Sequence, residues 1–308
     1  MSFTTSVKQE LCRVSRERAC CRTAELAALF RAAGSFHILP DDKYGLQASF
    51  GLSATARTAV SLVRAFDLPV EVRVREERRL AQGKRYEIYL EGSDRLVQFL
   101  NETGILSDKL TLQESVPHRI IKQPCCKAAF LRGAFLAAGS ISEPGSPAHL
   151  EVYSHNHGFL VTLVELARES GMKLSLVDRR RNPAVYSKSL ESIRNFLVLT
   201  GAHRGALELE EQSIMSAVRA AANRRANFDQ ANAARCCRAA ARQVKAIEKL
   251  KKMGVYKSLS AGLVEVAELR LKHDSLTIGE LGRRADPPLS KSAVNHRLRR
   301  LVEKAEKL

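Results

Sequence analysis

The side chains best placed to do chemistry in this 308-residue chain lie near its C-terminus, in LSKSAVNHRLRRL at 289–301. Val294, Leu298 and Leu301 recur at helical spacing as a stripe to be buried. Lys291, Ser292, Asn295, His296, Arg299 and Arg300 are left on the other faces. Hydroxyls and cations bind phosphate, and an asparagine amide pairs bidentately with adenine, so the chemistry this pattern offers is recognition of double-stranded DNA. Asn295 is the candidate for reading a base edge, with Thr277 and Ser290 at helix starts among the contact candidates. An amphipathic helix with a solvated basic face shares this pattern. The surrounding turn and the overall charge favour DNA.

The remaining candidates carry weaker signals. Cys20, Cys21, Cys125 and Cys126 would supply zinc with four thiolates if they met. Adjacent cysteines rarely aim at one metal, and free cysteine is among the most buried residue types, so packing is expected there and at Cys236-Cys237, with no metal and no cofactor. An odd total of seven, with three adjacent pairs, does not form a secreted disulfide framework and predicts reduced thiols. His155-Asn156-His157 reads as a loop. The basic stretches Arg73 to Arg85 and Arg179 to Arg181 are further candidates for phosphate contact.

The elements that position the C-terminal candidates are legible. Leu259 to Lys272 is helical. Thr277-Ile-Gly-Glu280 is a capping box that opens a helix to Ala285, and Asp286-Pro287-Pro288 forces a turn. Ser290 caps a helix that runs to the chain end, with Leu289 and Val294 as its hydrophobic staple. A short helix, a tight turn and a second helix with exposed polar residues in its first turns make a helix-turn-helix.

The first two thirds of the chain is a duplication. LAALFRAAGSF at 26–36 and LRGAFLAAGSI at 131–141 align on Gly34 and Gly139, 139 − 34 = 105 residues apart, with both cysteine doublets at that offset. Each glycine is expected in a left-handed helix-ending conformation. Ala28 with Ala32, and Gly133 with Ala137, put small residues on one face, so the helices can pack closely at a pseudo-twofold axis. A helix from Ser6, capped in a box with Gln9, precedes the first copy. Strand Tyr44 to Leu52, helix Thr55 to Phe66, strands Val70 to Val74 and Tyr86 to Leu90, and helix Asp94 to Asn101 follow it. In the second copy strand His149 to Ser154, helix Gly158 to Ser170, strands Lys173 to Asp178 and Ala184 to Ser189, and helix Leu190 to Leu199 keep the same order.

The expected fold class is α+β: duplicated αββαββα units followed by an all-α domain. The segments are a first repeat at 1–106, a linker at 107–124, a second repeat at 125–205, a helical connection at 206–254 and the DNA-binding domain at 255–308. A net charge of +17 favours an extended anionic partner. No run approaches the roughly 20 apolar residues of a membrane helix, and MSFTTSVKQELC lacks a signal-peptide core, so a cytoplasmic, nucleoid-associated protein is expected. No small-molecule substrate is evident.

The doubled helix motif resembles that of LAGLIDADG homing endonucleases. In that family the acid just before the final glycine ligates the catalytic divalent cations. Ala33 and Ala138 stand there, and Arg31 and Leu136 at the other motif acid, so the resemblance implies the nuclease fold without its chemistry. With Asn223-Arg224-Arg225-Ala226-Asn227, Asn232 and the terminal LSKSAVNHRLRRL, the chain resembles the WhiA family of bacterial transcription regulators. The resemblance implies a non-enzymatic regulator tied to cell division, chromosome segregation and, in sporulating filamentous bacteria, sporulation. It also suggests a second transcription regulator as partner in some bacteria. Asn223 to Asn232 are expected to hydrogen-bond where the long helix meets the first domain, with contact to DNA as the alternative role. The competing readings are an active LAGLIDADG-type endonuclease and a scaffold or sensor with incidental DNA binding.

Overall fold

The structure is a computed structural model that describes residues 1–40, 43–77, 83–92, 94–178 and 182–308. It divides into two compact units, Met1–Ser216 and Ala217–Leu308.

In the first unit, α1 (Phe3–Cys12) leads to α2 (Ala19–Ala33), β1 (Gly34–Ile38), β2 (Tyr44–Phe50), α3 (Ser53–Arg64), β3 (Glu71–Glu77), β4 (Gly83–Glu91) and α4 (Asp94–Glu102). After the short α5 (His118–Ile121) the order repeats as α6 (Pro124–Ala138), β5 (Gly139–Ile141), β6 (Leu150–Tyr153), α7 (His157–Glu169), β7 (Ser175–Val177), β8 (Ala184–Ser187) and α8 (Leu190–Thr200). The strand orders β1-β2-β4-β3 and β5-β6-β8-β7 are the same arrangement twice, antiparallel throughout. Alternation on β2 buries Leu46, Ala48 and Phe50 against the helices.

The helices α2 and α6 pack at the centre of one core that takes side chains from both repeats. A Cβ on Gly133 would sit 2.3 Å from the Glu25 carbonyl oxygen and 3.1 Å from the Ala28 methyl. Only glycine allows that approach, as the small-residue spacing predicts. Aromatic side chains fill the layers beneath, with Phe30 edge-on to Phe99 at 5.8 Å and Phe135 against Phe196 at 5.7 Å.

Three local expectations are corrected. Gly34 and Gly139 are extended, at φ −91° and −81°, because each helix runs straight into a strand. They are glycine for space: an added Cβ would lie 2.3 Å from the Phe30 carbonyl oxygen at one and 2.2 Å from the Phe135 ring at the other. The strands β1 and β5 that follow them complete the αββαββα pattern, too short to show a period in sequence. The first helix starts at Phe3, not Ser6, since the Ser2 hydroxyl accepts the Thr5 N–H and burying Phe3 extends the apolar stripe Phe3, Val7, Leu11.

The long helix α9 (His203–Lys252) begins in the first unit, where the Glu10 carboxylate accepts the backbone N–H groups of Arg204 at 2.7 Å and Gly205 at 3.0 Å. That carboxylate satisfies unpaired donors of the first turn and complements the helix dipole. In the second unit α9 ends against α10 (Ala261–Lys272), α11 (Ile278–Arg283) and α12 (Lys291–Glu306), and Ile247, Leu250, Leu263, Val266, Leu281, Val294, Leu298 and Leu301 form a separate core. Among the described residues no helix is long and apolar enough to cross a membrane.

Candidate nucleic-acid interface

The C-terminal module assembles the helix-turn-helix from local signals. Thr277 and Glu280 form a full capping box at the start of α11, each side chain serving the other residue's backbone. The hydrogen bonds from the Thr277 hydroxyl and backbone N–H hold the Glu280 carboxyl below its ordinary range. At the end of α11, Gly282 lies where a Cβ would be 2.4 Å from the Leu289 carbonyl oxygen, and the Leu289 N–H donates to the Gly282 carbonyl at 2.8 Å. This closes the turn. The Ser290 hydroxyl accepts the Ala293 N–H and starts α12, with Leu289 and Val294 packed as its staple.

Two arginines brace the module and had no signal in the sequence. Arg270 is buried on α10, and its Nη1 donates to the carbonyls of Asp274 at 3.2 Å and Leu276 at 2.7 Å, which sets the segment entering α11. Arg297 donates to Glu265 at 3.0 Å and to the Gly262 carbonyl, tying α12 to α10.

With Val294, Leu298 and Leu301 buried, Lys291, Ser292, Asn295, His296, Arg299 and Arg300 are all exposed. Their spacing, paired at every fourth position, gathers them along one side of α12. Arg299 is paired with Glu303 at 2.9 Å one turn on, which leaves Lys291 and Arg300 as the more available cations of the set. Thr277 and Ser290 are exposed but their hydroxyls serve the caps.

The duplicated unit presents a different chemistry at its motif positions. Ala33 and Ala138 offer only methyl groups where a divalent cation would need oxygen, so the residues present do not fit the endonuclease metals. Arg31 is drawn inward: its guanidinium donates to the Gly104 carbonyl at 2.5 Å and faces those of Thr103 and Ser115, and burial lowers its pKa to about 10. It braces the segment that leaves the first repeat.

Other sequence candidates fall elsewhere. Arg73 pairs with Glu71 at 2.7 Å and lies over the Tyr89 ring, while Arg78, Arg79 and Arg179 to Arg181 lie outside the described residues. His155-Asn156-His157 is a loop into α7, which Asn156 caps. Asn223, Arg224, Arg225 and Asn227 are exposed on α9, and Asn232 accepts from Arg235 within the same helix. Cys236 and Cys237 are exposed on α9 rather than packed. The four other paired cysteines meet, which adjacency in sequence had argued against.

A duplicated LAGLIDADG-like fold, stripped of its acids and followed by a helix-turn-helix domain, is the class of protein these observations define. Models described as the WhiA N-terminal LAGLIDADG-like domain, the WhiA LAGLIDADG-like domain and the WhiA C-terminal HTH domain match residues 19–106, 127–219 and 222–305. The chain belongs to the WhiA family. It is 36% identical over 307 residues to the probable cell division protein WhiA of Heliobacterium modesticaldum, covering 99% of this chain and 96% of that one. It is 34% identical to the protein of the same name from Clostridium novyi, covering 100% and 98%. The crystal structure of full-length DUF199/WhiA from Thermatoga maritima shares the fold at a TM-score of 0.61 and 24% identity, covering 100% of this chain and 99% of that one.

Proposed function

We propose that this chain is a sequence-specific, DNA-binding transcription regulator of cell division and chromosome segregation, and of sporulation in filamentous bacteria that sporulate. Residues 255–308 read duplex DNA, 206–254 connect, and the two repeats within 1–205 form a platform that does not cleave. The observation that carries this reading is the exposed side of α12, where Asn295 lies among Lys291, Ser292, His296 and Arg300 just after a tight turn. Side chains in the first turns of such a helix reach base edges in the major groove, and the cations set affinity through phosphate. The methyl groups of Ala33 and Ala138 support the non-enzymatic part, and the names of the relatives support the link to division. A nucleoid-associated protein in the cytoplasm, with a second transcription regulator as further partner, completes the reading.

The test is fluorescence anisotropy of genomic duplex fragments with the full chain and with a Lys291→Ala, Asn295→Ala, Arg300→Ala variant, with Mg²⁺ present. Recovered DNA is run on a denaturing gel. Loss of site preference in the variant with intact DNA strands is expected. Unchanged preference, or Mg²⁺-dependent cleavage, would overturn the reading.

A further inference from the structure

Four cysteines from the two repeats converge on one point. Cys20 and Cys21 are the second and third residues of α2, and Cys125 and Cys126 hold the same places in α6. Their four sulfurs all lie within 4.8 Å of one another. In a helix the Cα–Cβ bonds tilt toward the N-terminus, so adjacent side chains in a first turn can both project past the helix end. The pseudo-twofold then brings one doublet to face the other.

The spacing suits a single ion. A tetrahedral zinc with Zn–S bonds of about 2.3 Å sets its sulfurs roughly 3.8 Å apart, so the cluster needs to contract by no more than about 1 Å. An iron–sulfur cube, which has sulfide between its metals, would spread the thiolates beyond this spacing.

The surroundings suit thiolates. Neither α2 nor α6 has a side-chain cap or an acid in its first turn, although the N-terminus of a helix favours negative charge. The Arg18 guanidinium lies 3.6 Å from the Cys125 sulfur. Cys21 and Cys126 are buried and Cys20 is exposed, which leaves a route in from one side.

We propose that Cys20, Cys21, Cys125 and Cys126 form a tetrathiolate site for one thiophilic divalent cation, zinc, that clamps the two repeats together at the N-terminal ends of α2 and α6. On binding, four S–metal bonds replace four S–H bonds and up to four protons leave to solvent, with no change of oxidation state. Four protein ligands close the coordination sphere, so the site is structural and activates no water.

The test uses the full-length chain without a polyhistidine tag, reduced and metal-stripped under anaerobic conditions, and titrated with Co²⁺. Saturation at one equivalent is expected, with the near-ultraviolet thiolate charge-transfer and visible d–d bands of tetrahedral cobalt, which Zn²⁺ then abolishes. Cys20→Ser and Cys125→Ser should weaken uptake at least tenfold, and Cys236→Ser with Cys237→Ser should leave it unchanged. Native mass spectrometry of the unmodified protein as isolated should show one zinc per chain, a readout independent of how the variants fold. A reduced, folded wild-type chain without cobalt bands would overturn the proposal, as would bands that survive Cys20→Ser and Cys125→Ser. So would isolation as inter-repeat disulfides in a protein that takes up no metal once reduced.

Discussion

Arg132 Nη2 lies 2.9 Å from Glu25 Oε2, across the interface between the central helices of the two repeats. Arg16 reaches the same carboxylate at 2.8 Å, and Glu25 has no exposed surface. The carboxylate therefore ties the segment before α2, α2 itself and α6 into one ionic network. The arginines complete it by donating to backbone: Arg16 to the carbonyls that end α1, Arg132 to that of Thr200.

Removing the shared charge leaves two guanidinium groups with little access to water. Glu25→Gln is expected to cost about 3–5 kcal/mol, the range for breaking a buried ion pair from one side. Urea denaturation of the first unit, followed by circular dichroism, measures it, and a loss below about 1 kcal/mol would show that the network is not a structural anchor.

Gly133→Ala tests the close approach of α2 and α6. Its new methyl would meet the backbone oxygen of Glu25 at 2.3 Å, and a backbone atom cannot rotate aside. The helices must separate, at an expected cost of about 1–3 kcal/mol. Thermal melting should fall clearly for this variant and little for Gly145→Ala, where a Cβ meets nothing within 4 Å and the cost comes only from a positive φ.

Lys8 carries a pH dependence. Burial lowers its pKa from 10.5 to about 8, against a smaller opposing effect of Cys12, and its ammonium lies 5.8 Å from the Phe135 ring centre. Below pH 8 both folded and unfolded chains hold the proton, and the folded state bears the cost of a poorly solvated charge. Between about 8 and 10.5 the unfolded chain binds more protons than the folded one, so the contribution of Lys8 to stability rises with pH across that window. Lys8→Met should therefore stabilise the protein at pH 7 by roughly 1–3 kcal/mol, and the gain should shrink as pH approaches 10. Denaturant titrations of both proteins at the two pH values check the sign.

On DNA, base reading and phosphate binding should separate. Asn295→Ala is expected to lose about 1–3 kcal/mol on a preferred duplex and far less on random sequence. Arg300→Ala should weaken both alike and reduce the slope of log affinity against log salt by about 1. Arg299→Ala should do less than Arg300→Ala, because Arg299 is shared with Glu303. Anisotropy titrations at several salt concentrations distinguish the three, and equal losses for Asn295→Ala on both duplexes would remove it from base reading.

The helix-turn-helix was legible almost to the residue. Its devices are local: the Thr277–Glu280 box, the Ser290 cap and the Leu289–Val294 staple each join residues three to five apart, and so leave a pattern in the order of amino acids. The duplication was legible for another reason. A small residue at each point where two helices cross has no substitute, so the glycine-ended motif stands twice in the chain. The missing acids at Ala33 and Ala138 could be read directly, because chemistry that needs an oxygen ligand cannot be supplied by a methyl group.

Other features depended on residues far apart. Glu25 and Arg132 are separated by 107 positions, and neither residue announces the other. Glu10 caps a helix that starts at His203, a service visible only once α1 lies beside it. The extended conformations of Gly34 and Gly139 depended on the strands that each begins, whose pairing partners lie further along the chain. The amino-acid sequence by itself determined the fold class, the duplicated frame and the helix-turn-helix module with its exposed polar and basic side, since periodicity, caps and residue chemistry act within a few positions. The tertiary structure alone decided the ionic network and the meeting of four cysteines, since these arise only where helices distant in sequence come within a few ångströms.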